Sequence, residues 1–247
     1  MVSFGKIVVL GGGSFGTALA NMVAENGHKV VLWMRSEENA KKCSHSRENA
    51  RYLPGCLLDP RLEFSSDLKA SLRDADVVFF AVPSKAFRKL ANEASRYVVS
   101  GVQVISTAKG IEIGTFKLMS HILEEELPQA RVGVISGPNL AIEIANKAIT
   151  ATVVASNNPQ VCCDTQQLLS SYYFRVYANS DRLGVELAGA LKNIYAIASG
   201  ISASMKMGQN TVSVLVTRSL AEMSRFSAAL GANPMTFLGL SGVGDLF

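Results

Sequence analysis

Glycines at positions 11, 13 and 16 form the first pattern that could do chemistry. The segment Gly11–Gly16 contains G-x-G-x-x-G, and it lies between the strand-like run Lys6–Leu10 and a helical pattern. Gly11 permits the tight turn, Gly13 lets a pyrophosphate approach the backbone, and Gly16 lets the helix pack on the strand. Free N–H groups at the start of the helix then face the anion. In this context the pattern favours a dinucleotide site over a merely structural glycine turn.

Arg35 stands where the second strand of such a nucleotide-binding unit ends. An NAD-specific site usually has Asp or Glu here for the ribose 2′-hydroxyl, but residues 32–36 read Leu-Trp-Met-Arg-Ser. A guanidinium can take a 2′-phosphate in a forked contact, which favours NADP, or stack on adenine, which does not discriminate. A solvated arginine at a strand end is the alternative without function. We predict NADP as the preferred cofactor, with NAD as the alternative.

Two lysines are the candidates for the group that gives or takes the hydroxyl proton in a hydride transfer. Histidine is the usual choice, but none of the three histidines closes a strand at the edge where ligands bind, and we interpret them as surface residues: His28, His45 and His121. Lys109 follows the strand-like run Val102–Thr107 directly, which places it at that edge. Lys192 is the second candidate.

Lys192 lies on a helical stretch whose two faces differ in composition. At about 100° per residue one face is apolar: Leu183, Leu187, Ala190, Leu191, Ile194, Ile197, Ala198 and Ile201. The other face carries Glu186, Gly189, Lys192, Asn193, Ala196 and Gly200. The simple interpretation is a solvated lysine on the polar face. However, each mid-helix glycine costs about 1 kcal/mol relative to alanine, so small residues there indicate close approach by another body. A lysine emerging from such a strip loses hydration, which suits it to acid–base chemistry.

Strand-like runs alternate with helical patterns along the first 180 residues. We predict strands at Lys6–Leu10, Lys29–Met34, Asp76–Val82, Val102–Thr107, Val132–Ser136, Ala151–Ala155 and Tyr173–Tyr177, and helices at Phe15–Asn26, Ser84–Val98 and Thr115–Glu125. Nearly continuous apolar strands are typical of a parallel sheet covered on both faces, so the fold class is doubly wound α/β. From residue 181 the pattern is helical. We expect a Rossmann-like domain at 1–180 and a helical substrate domain at 181–247.

Composition narrows the function classes. The chain has 247 residues, 48% of them hydrophobic, and a formal charge of +4 without a long basic block, which excludes disorder and does not support nucleic-acid binding. The apolar run at residues 7–10 is too short for a signal peptide, and charged residues interrupt Leu183–Met205, so we expect no membrane span. The four cysteines lack the spacing of a metal site and the density of a disulfide scaffold. We therefore expect a cytoplasmic protein without a metal that takes a small phosphorylated molecule.

Six segments together resemble a known family. They are GGGSFG at 11–16 followed by TALA, AVPS at 81–84, STAKG at 106–110, SGPNLA at 136–141, VELAGALKN at 185–193 and GLSGVGD at 239–245. In these motifs and their order the chain resembles bacterial-type NAD(P)-dependent glycerol-3-phosphate dehydrogenases. The later segments are far more specific than the glycine turn.

The resemblance implies a reversible reduction of dihydroxyacetone phosphate to sn-glycerol 3-phosphate, which supplies phospholipid backbones. It also implies a 6-phosphogluconate-dehydrogenase-like helical domain, and we expect a homodimer. By motif position, the cofactor contacts beyond the glycines would be Ser14, Phe15, Arg35, Lys109 and Ala141. The substrate contacts would be Lys109, Gly137, Lys192 and Asp245, with Lys192 as general acid or base and Lys109 stabilising the charge on the same oxygen.

Two departures from the family pattern bear on this expectation. Asn139 stands where bacterial members usually have Ser or Thr. The family also continues beyond the position of Phe247, through a Ser-Arg-Asn segment that binds the substrate phosphate and through the rest of the helical domain. We therefore expect an incomplete second domain whose first helix lacks packing partners on its apolar face. The alternatives are a related β-hydroxy acid dehydrogenase and a chain that binds nucleotide without catalysis.

Overall fold

The computed structural model describes residues 4–245. The strands are β1 Ile7–Leu10, β2 Val30–Trp33, β3 Leu62–Ser65, β4 Val77–Phe80, β5 Gln103–Ser106, β6 Arg131–Ser136, β7 Thr150–Ser156 and β8 Phe174–Asn179. The helices are α1 Ser14–Glu25, α2 Glu37–Ser46, α3 Leu68–Leu72, α4 Ser84–Ala94, α5 Met119–Glu126, α6 Ala141–Ala145, α7 Pro159–Leu169, α8 Arg182–Ser204 and α9 Gln209–Ala229. Two 3₁₀ turns follow, at Pro234–Leu238 and Val243–Asp245.

A single eight-stranded sheet organises the chain, in the order β3-β2-β1-β4-β5-β6-β7-β8. Its strands are buried on both faces because alternate residues enter two separate hydrophobic clusters. In β1, for example, Ile7 and Val9 belong to one cluster, whereas Val8 and Leu10 belong to the other. The predicted doubly wound α/β class is confirmed, and the carboxyl ends of β1, β2, β4, β5 and β6 meet at one edge.

The expectation of a parallel sheet is wrong at β7, which runs antiparallel to β6. β8 is parallel to β7, so both strands end at the opposite edge of the sheet. Residues 152–156 of β7 are all buried, like those of a parallel central strand. A fully apolar run reports burial on both faces and carries no information on strand direction.

The sequence analysis also missed an edge strand and set some helix ends wrongly. β3 is four residues long, and only Leu62 in it is buried, so the strand has no recognisable apolar run. Helix α4 ends at Ala94 rather than at Val98. Helix α5 begins at Met119 rather than at Thr115, because the preceding residues form a turn with Phe116 at φ +56°.

From Arg182 to Asp245 the chain forms α8, α9 and the two 3₁₀ turns, joined by short connections. Asp181 caps α8 by accepting from the Gly184 amide at 2.9 Å. The same carboxylate accepts from the Asn233 amide at 2.9 Å and the Thr236 hydroxyl at 2.6 Å, which ties the first 3₁₀ turn to the start of α8. The division into two domains near residue 181 stays a prediction. The last two residues of the predicted second domain, 246 and 247, lie outside the described part of the chain.

Candidate active site

The glycine turn joins β1 to α1 with the geometry that the motif predicts. Gly11 has φ +126°, and a Cβ there would lie 2.3 Å from the carbonyl oxygen of Ala81 at the end of β4. A Cβ on Gly16 would lie 2.0 Å from the carbonyl oxygen of Gly11. Only glycine fits these two positions. Gly13, in contrast, is the N-cap of α1 and has open space around its Cβ position, so its backbone is accessible.

Helix α1 starts without a side-chain cap, which leaves its first amides available to an anion. Ser14 is exposed at its first position. Phe15 and Ala141 are half-buried, and both pack against the hydrophobic cluster that contains α1. The residues present therefore fit a dinucleotide, with the pyrophosphate at the glycine turn. They would place Ser14, Phe15 and Ala141 around it, as the resemblance implies.

A cavity of about 550 Å³ opens beside the glycine turn. Residues 33–36 after β2 form one wall, and α4 forms another. Arg35 is exposed and makes no ion pair within residues 4–245. Arg51 and Tyr52 also border the cavity, with the guanidinium 5.1 Å from the ring centroid. The sequence analysis missed these two residues because they belong to an irregular segment with no periodic signal.

Lys109, Gly137, Lys192 and Asp245 come together at the carboxyl edge of the sheet. The Lys109 amine donates to the Gly137 carbonyl at 3.2 Å and pairs with one oxygen of the Asp245 carboxylate. The Lys192 amine donates to the backbone carbonyl of Asp245 at 2.7 Å and pairs with the other carboxylate oxygen. Four residues from distant parts of the sequence thus form one cluster, in which a single carboxylate is shared by two amines.

Burial sets the electrostatics of this cluster. The side chains of Lys109, Lys192 and Asp245 are 26%, 12% and 7% exposed, respectively. Burial lowers the pKa of Lys109, the nearby Lys192 cation adds to the effect, and Asp245 opposes it. A negatively charged oxygen placed between the two amines would receive the same two donors that the Asp245 carboxylate receives. The arrangement is suited to stabilising an oxyanion and to moving a proton to or from it.

Helix α8 reaches the cluster because it packs very closely on β6. A Cβ on Gly189 would lie 2.4 Å from the hydroxyl oxygen of Ser136, the last residue of β6. Within residues 4–245 that hydroxyl is buried and has no hydrogen-bond partner. The predicted close approach is therefore confirmed at Gly189 and is wrong at Gly200, which is exposed and has no atom within 4 Å of its Cβ position. Lys192 emerges less than one turn beyond the contact at Gly189.

The two faces of α8 are not divided as the helical wheel suggests. Glu186, from the supposedly polar face, is 5% exposed and accepts from the Ser120 amide at 2.9 Å and from the Ser120 hydroxyl. Burial raises the pKa of this carboxyl. On the apolar face, Ile194, Ile197 and Ile201 are 61%, 65% and 55% exposed, which agrees with the expectation that this face lacks packing partners. The helical wheel is therefore wrong at Glu186, where α8 packs on α5.

Asn139 forms a small network next to Gly137. Its amide nitrogen donates to the Thr152 hydroxyl at 2.9 Å, and that hydroxyl donates to the Ser136 carbonyl at 3.2 Å. The Asn139 side-chain oxygen is buried without a partner among the described residues. The departure from the family's usual Ser or Thr thus leaves a free acceptor beside the lysine cluster.

The three histidines lie apart from this site. His45 and His121 are exposed on α2 and α5, and His28 stacks edge-on against Phe4 with ring centroids 5.8 Å apart. Residues 4–245 contain no group of three or more His, Cys, Asp or Glu side chains that could hold a metal ion. Within the same residues, no helix combines the length and apolarity needed to cross a bilayer.

Comparison of the sequence with known protein families gives matches over most of the chain. The model of the NAD-dependent glycerol-3-phosphate dehydrogenase N-terminus matches residues 6–162, and that of the C-terminus matches residues 181–247. A relative in Ectopseudomonas mendocina, named glycerol-3-phosphate dehydrogenase [NAD(P)+], is 58% identical over 246 residues, which are 100% of this chain and 72% of the relative. One of the same name in Teredinibacter turnerae is 56% identical over 98% of this chain and 71% of its own length.

Solved structures give the same result. The crystal structure of glycerol-3-phosphate dehydrogenase from Coxiella burnetii has a TM-score of 0.93 and 39% identity, over 99% of this chain and 74% of that one. The corresponding enzyme from Saccharomyces cerevisiae has a TM-score of 0.89 and 29% identity over 99% of this chain and 76% of its own. With its glycine turn, its lysine cluster and these relatives, the chain belongs to the NAD-dependent glycerol-3-phosphate dehydrogenase family and is an NAD(P)-dependent oxidoreductase.

Proposed function

We propose that this chain reversibly reduces dihydroxyacetone phosphate to sn-glycerol 3-phosphate. The observation that carries the proposal is the convergence of Lys109 and Lys192 on one carboxylate, at the same sheet edge as the glycine turn. The names of the relatives support the substrate pair over a β-hydroxy acid, since those at 58% and 56% identity are both glycerol-3-phosphate dehydrogenases.

The two amines divide the chemistry. A bound nicotinamide supplies the hydride to the ketone carbon or accepts it from the carbinol carbon. As charge develops on the ketone oxygen, the Lys192 ammonium transfers a proton to it, and the Lys109 ammonium stabilises the same oxygen or orients it. In the reverse direction neutral Lys192 accepts the hydroxyl proton. Asp245 contacts the substrate and orients both amines, consistent with its bonds to each.

We infer that NADP is preferred over NAD. Arg35 and Arg51 both border the nucleotide cavity, and neither makes an ion pair within residues 4–245. A 2′-phosphate would give these guanidinium groups the anionic partner that they lack, through charge-assisted forked bonds. Supply of phospholipid precursors, a cytoplasmic location and a homodimer complete the proposal and stay predictions.

The decisive experiment compares turnover with nucleotide binding. The purified chain is assayed with dihydroxyacetone phosphate and with β-hydroxy acids, and Lys192→Ala is assayed in parallel. We expect Lys192→Ala to lower kcat by on the order of 10² or more and to leave NADPH affinity nearly unchanged. Lys206→Ala, an exposed lysine beyond the end of α8, is the matched control.

Each outcome separates one alternative. Tight NADPH binding without turnover would identify the chain as a nucleotide binder only. A specificity constant for hydroxy acids several orders above that for the triose phosphate would defeat the substrate assignment. Full activity of Lys192→Ala would show that another group moves the proton.

A further inference from the structure

The loop that carries Lys109 is packed directly on helix α4. This loop, residues 107–118 between β5 and α5, is called the Lys109 loop below. Gly110 in it has φ +152°, and a Cβ there would lie 3.0 Å from both the Cβ and the hydroxyl oxygen of Ser84, the first residue of α4. Any side chain at the residue next to Lys109 would thus crowd the start of the helix.

Arg88 holds the same loop one helical turn further along α4. Its guanidinium forms a fork on Glu112, with Nε and Nη2 donating to the two carboxylate oxygens at 2.6 Å and 2.8 Å. Because Ser84 and Arg88 are four residues apart, both lie on the helix face that meets the loop. The fork and the Thr115 hydroxyl lower the pKa of Glu112 to about 2, so the carboxylate is ionised throughout the neutral range.

The loop transmits this constraint because it is closed on itself. The Glu112 amide donates to the Lys117 carbonyl at 2.8 Å, and the Phe116 amide donates to the Glu112 carbonyl at 3.0 Å. Ile111 and Leu118 also form an isolated antiparallel bridge. Glu112 therefore belongs to a braced turn, and fixing its carboxylate fixes the backbone three residues away, at Lys109.

The same guanidinium has two further carboxylate partners, both at the end of α5. Arg88 Nη2 pairs with Glu125 at 2.9 Å, and Glu125 also pairs with Lys117 of the Lys109 loop, so only Glu126 is separate from the loop. Arg88 Nη1 donates to Glu126, the last residue of α5, at 2.6 Å, and Asn92 donates to the other oxygen of Glu126 at 2.8 Å. The side chains of Glu112 and Glu126 are each 17% exposed. Glu112 and Glu126 thus have the same side-chain exposure and the same shortest distance to Arg88, 2.6 Å. They differ in that Glu112 receives two bonds from Arg88 and lies in the loop that carries Lys109, whereas Glu126 receives one bond and lies on α5.

We propose that Arg88 is a positioning residue for the reaction, because its fork on Glu112 fixes where Lys109 presents its amine to the substrate, whereas its bond to Glu126 serves the fold alone. The role of Lys109 toward the substrate rests on the proposed function above. A bidentate arginine–carboxylate pair restricts direction as well as distance, which a lysine at the same place cannot do. The residues on another side of α4, among them Ala86, Lys89 and Leu90, border the nucleotide cavity.

The test uses the full chain and three variants: Glu112→Gln, Glu126→Gln and Arg88→Lys. We expect Glu112→Gln and Arg88→Lys to lower kcat/KM for dihydroxyacetone phosphate by roughly 10- to 100-fold, since small displacements of a catalytic group cost this much. The KM for NADPH should change less than about two-fold, because the nucleotide cavity is intact. Glu126→Gln should keep kcat/KM within about two-fold while lowering Tm as much as Glu112→Gln does.

A second readout does not depend on turnover. Titration of ¹⁵N-labelled lysine amines by NMR follows the Lys109 ammonium, whose pKa burial lowers. If the fork holds the loop, Glu112→Gln admits water to Lys109 and raises its pKa, whereas Glu126→Gln leaves the titration unchanged. Equal effects of the two glutamine variants on both readouts would overturn the proposal. If the wild-type chain shows no turnover, the proposed function fails, and the titrations still decide whether Arg88 positions Lys109.

Discussion

Replacing Gly189 by alanine sets two opposing effects against each other on helix α8. Alanine is favoured over glycine in a helix interior by about 1 kcal/mol. However, the added Cβ would lie 2.4 Å from the Ser136 hydroxyl oxygen, against an ordinary contact distance of about 3.5 Å or more, so the helix and strand must separate by about 1 Å. Overpacking of this kind costs about 1–3 kcal/mol, which exceeds the gain in propensity. We expect Gly189→Ala to be less stable than the wild type.

The same substitution should also lower kcat strongly. A displacement of about 1 Å at Gly189 would move Lys192, the proposed proton donor three residues further on, and misplacement of a catalytic group costs on the order of 10²-fold in rate. Gly200→Ala is the matched control, because it lies on the same helix with no atom near its Cβ position. It should raise the free energy of unfolding by about 1 kcal/mol and leave kcat unchanged.

Urea unfolding and steady-state kinetics measure both quantities. A double variant, Gly189→Ala with Ser136→Ala, removes the clashing hydroxyl and leaves the two methyl groups at an ordinary separation, since the Ser136 Cβ is 3.5 Å from the new Cβ position. It should recover most of the lost kcat. If Gly189→Ala alone is as stable as Gly200→Ala and fully active, the serine hydroxyl rotates away, and the reasoning about helix placement is refuted.

Three further outcomes follow from the described contacts. Arg35→Ala and Arg51→Ala should each raise the KM for NADPH by roughly 10-fold and change the KM for NADH by less than two-fold, because each variant loses only a contact to the 2′-phosphate, which NADH lacks. Equal changes for both nucleotides would indicate that the arginine stacks on adenine. The Asp245 carboxylate raises the pKa of Lys109, so Asp245→Asn should lower this pKa further. The alkaline limb of the pH profile of kcat/KM should then move to lower pH. Because burial raises the pKa of Glu186, the native state retains a proton that the unfolded chain loses above about pH 4.3, and stability should fall as pH rises from there; Glu186→Gln should show a flatter dependence in urea melts at pH 5 and 8.

Local patterns predicted the parts of the site that are built from consecutive residues. The glycine turn depends on three positions within six residues, and Lys109 follows its strand directly. For both, topology alone gives the right sheet edge, because parallel strands end together. The small residues on α8 predicted a close neighbour correctly at Gly189, which meets Ser136, but not at Gly200.

The rest depended on contacts between distant segments. Nothing in the spacing of Arg88 and Glu112 shows that they meet, and Arg51 reaches the cavity beside the glycine turn from an irregular segment. The reversal at β7 was missed because burial on both faces gives the same apolar run in either direction. The burial of Glu186 depends on Ser120, which lies in a distant part of the sequence, so the helical wheel assigned this residue to the polar face.

Because β7 and β8 run opposite to the other strands, the length of α8 determines where Lys192 lies. β8 ends at the far edge of the sheet, so α8 must span the height of the sheet before Lys192 lies opposite Lys109. The ten residue steps from Arg182 to Lys192 correspond to about 15 Å of rise. One inserted residue in this stretch would swing the amine by about 100° around the helix axis as well as lifting it about 1.5 Å. The length of α8 up to Lys192 therefore fixes both the height and the direction of the amine. Insertions in this helix should be tolerated only after position 192.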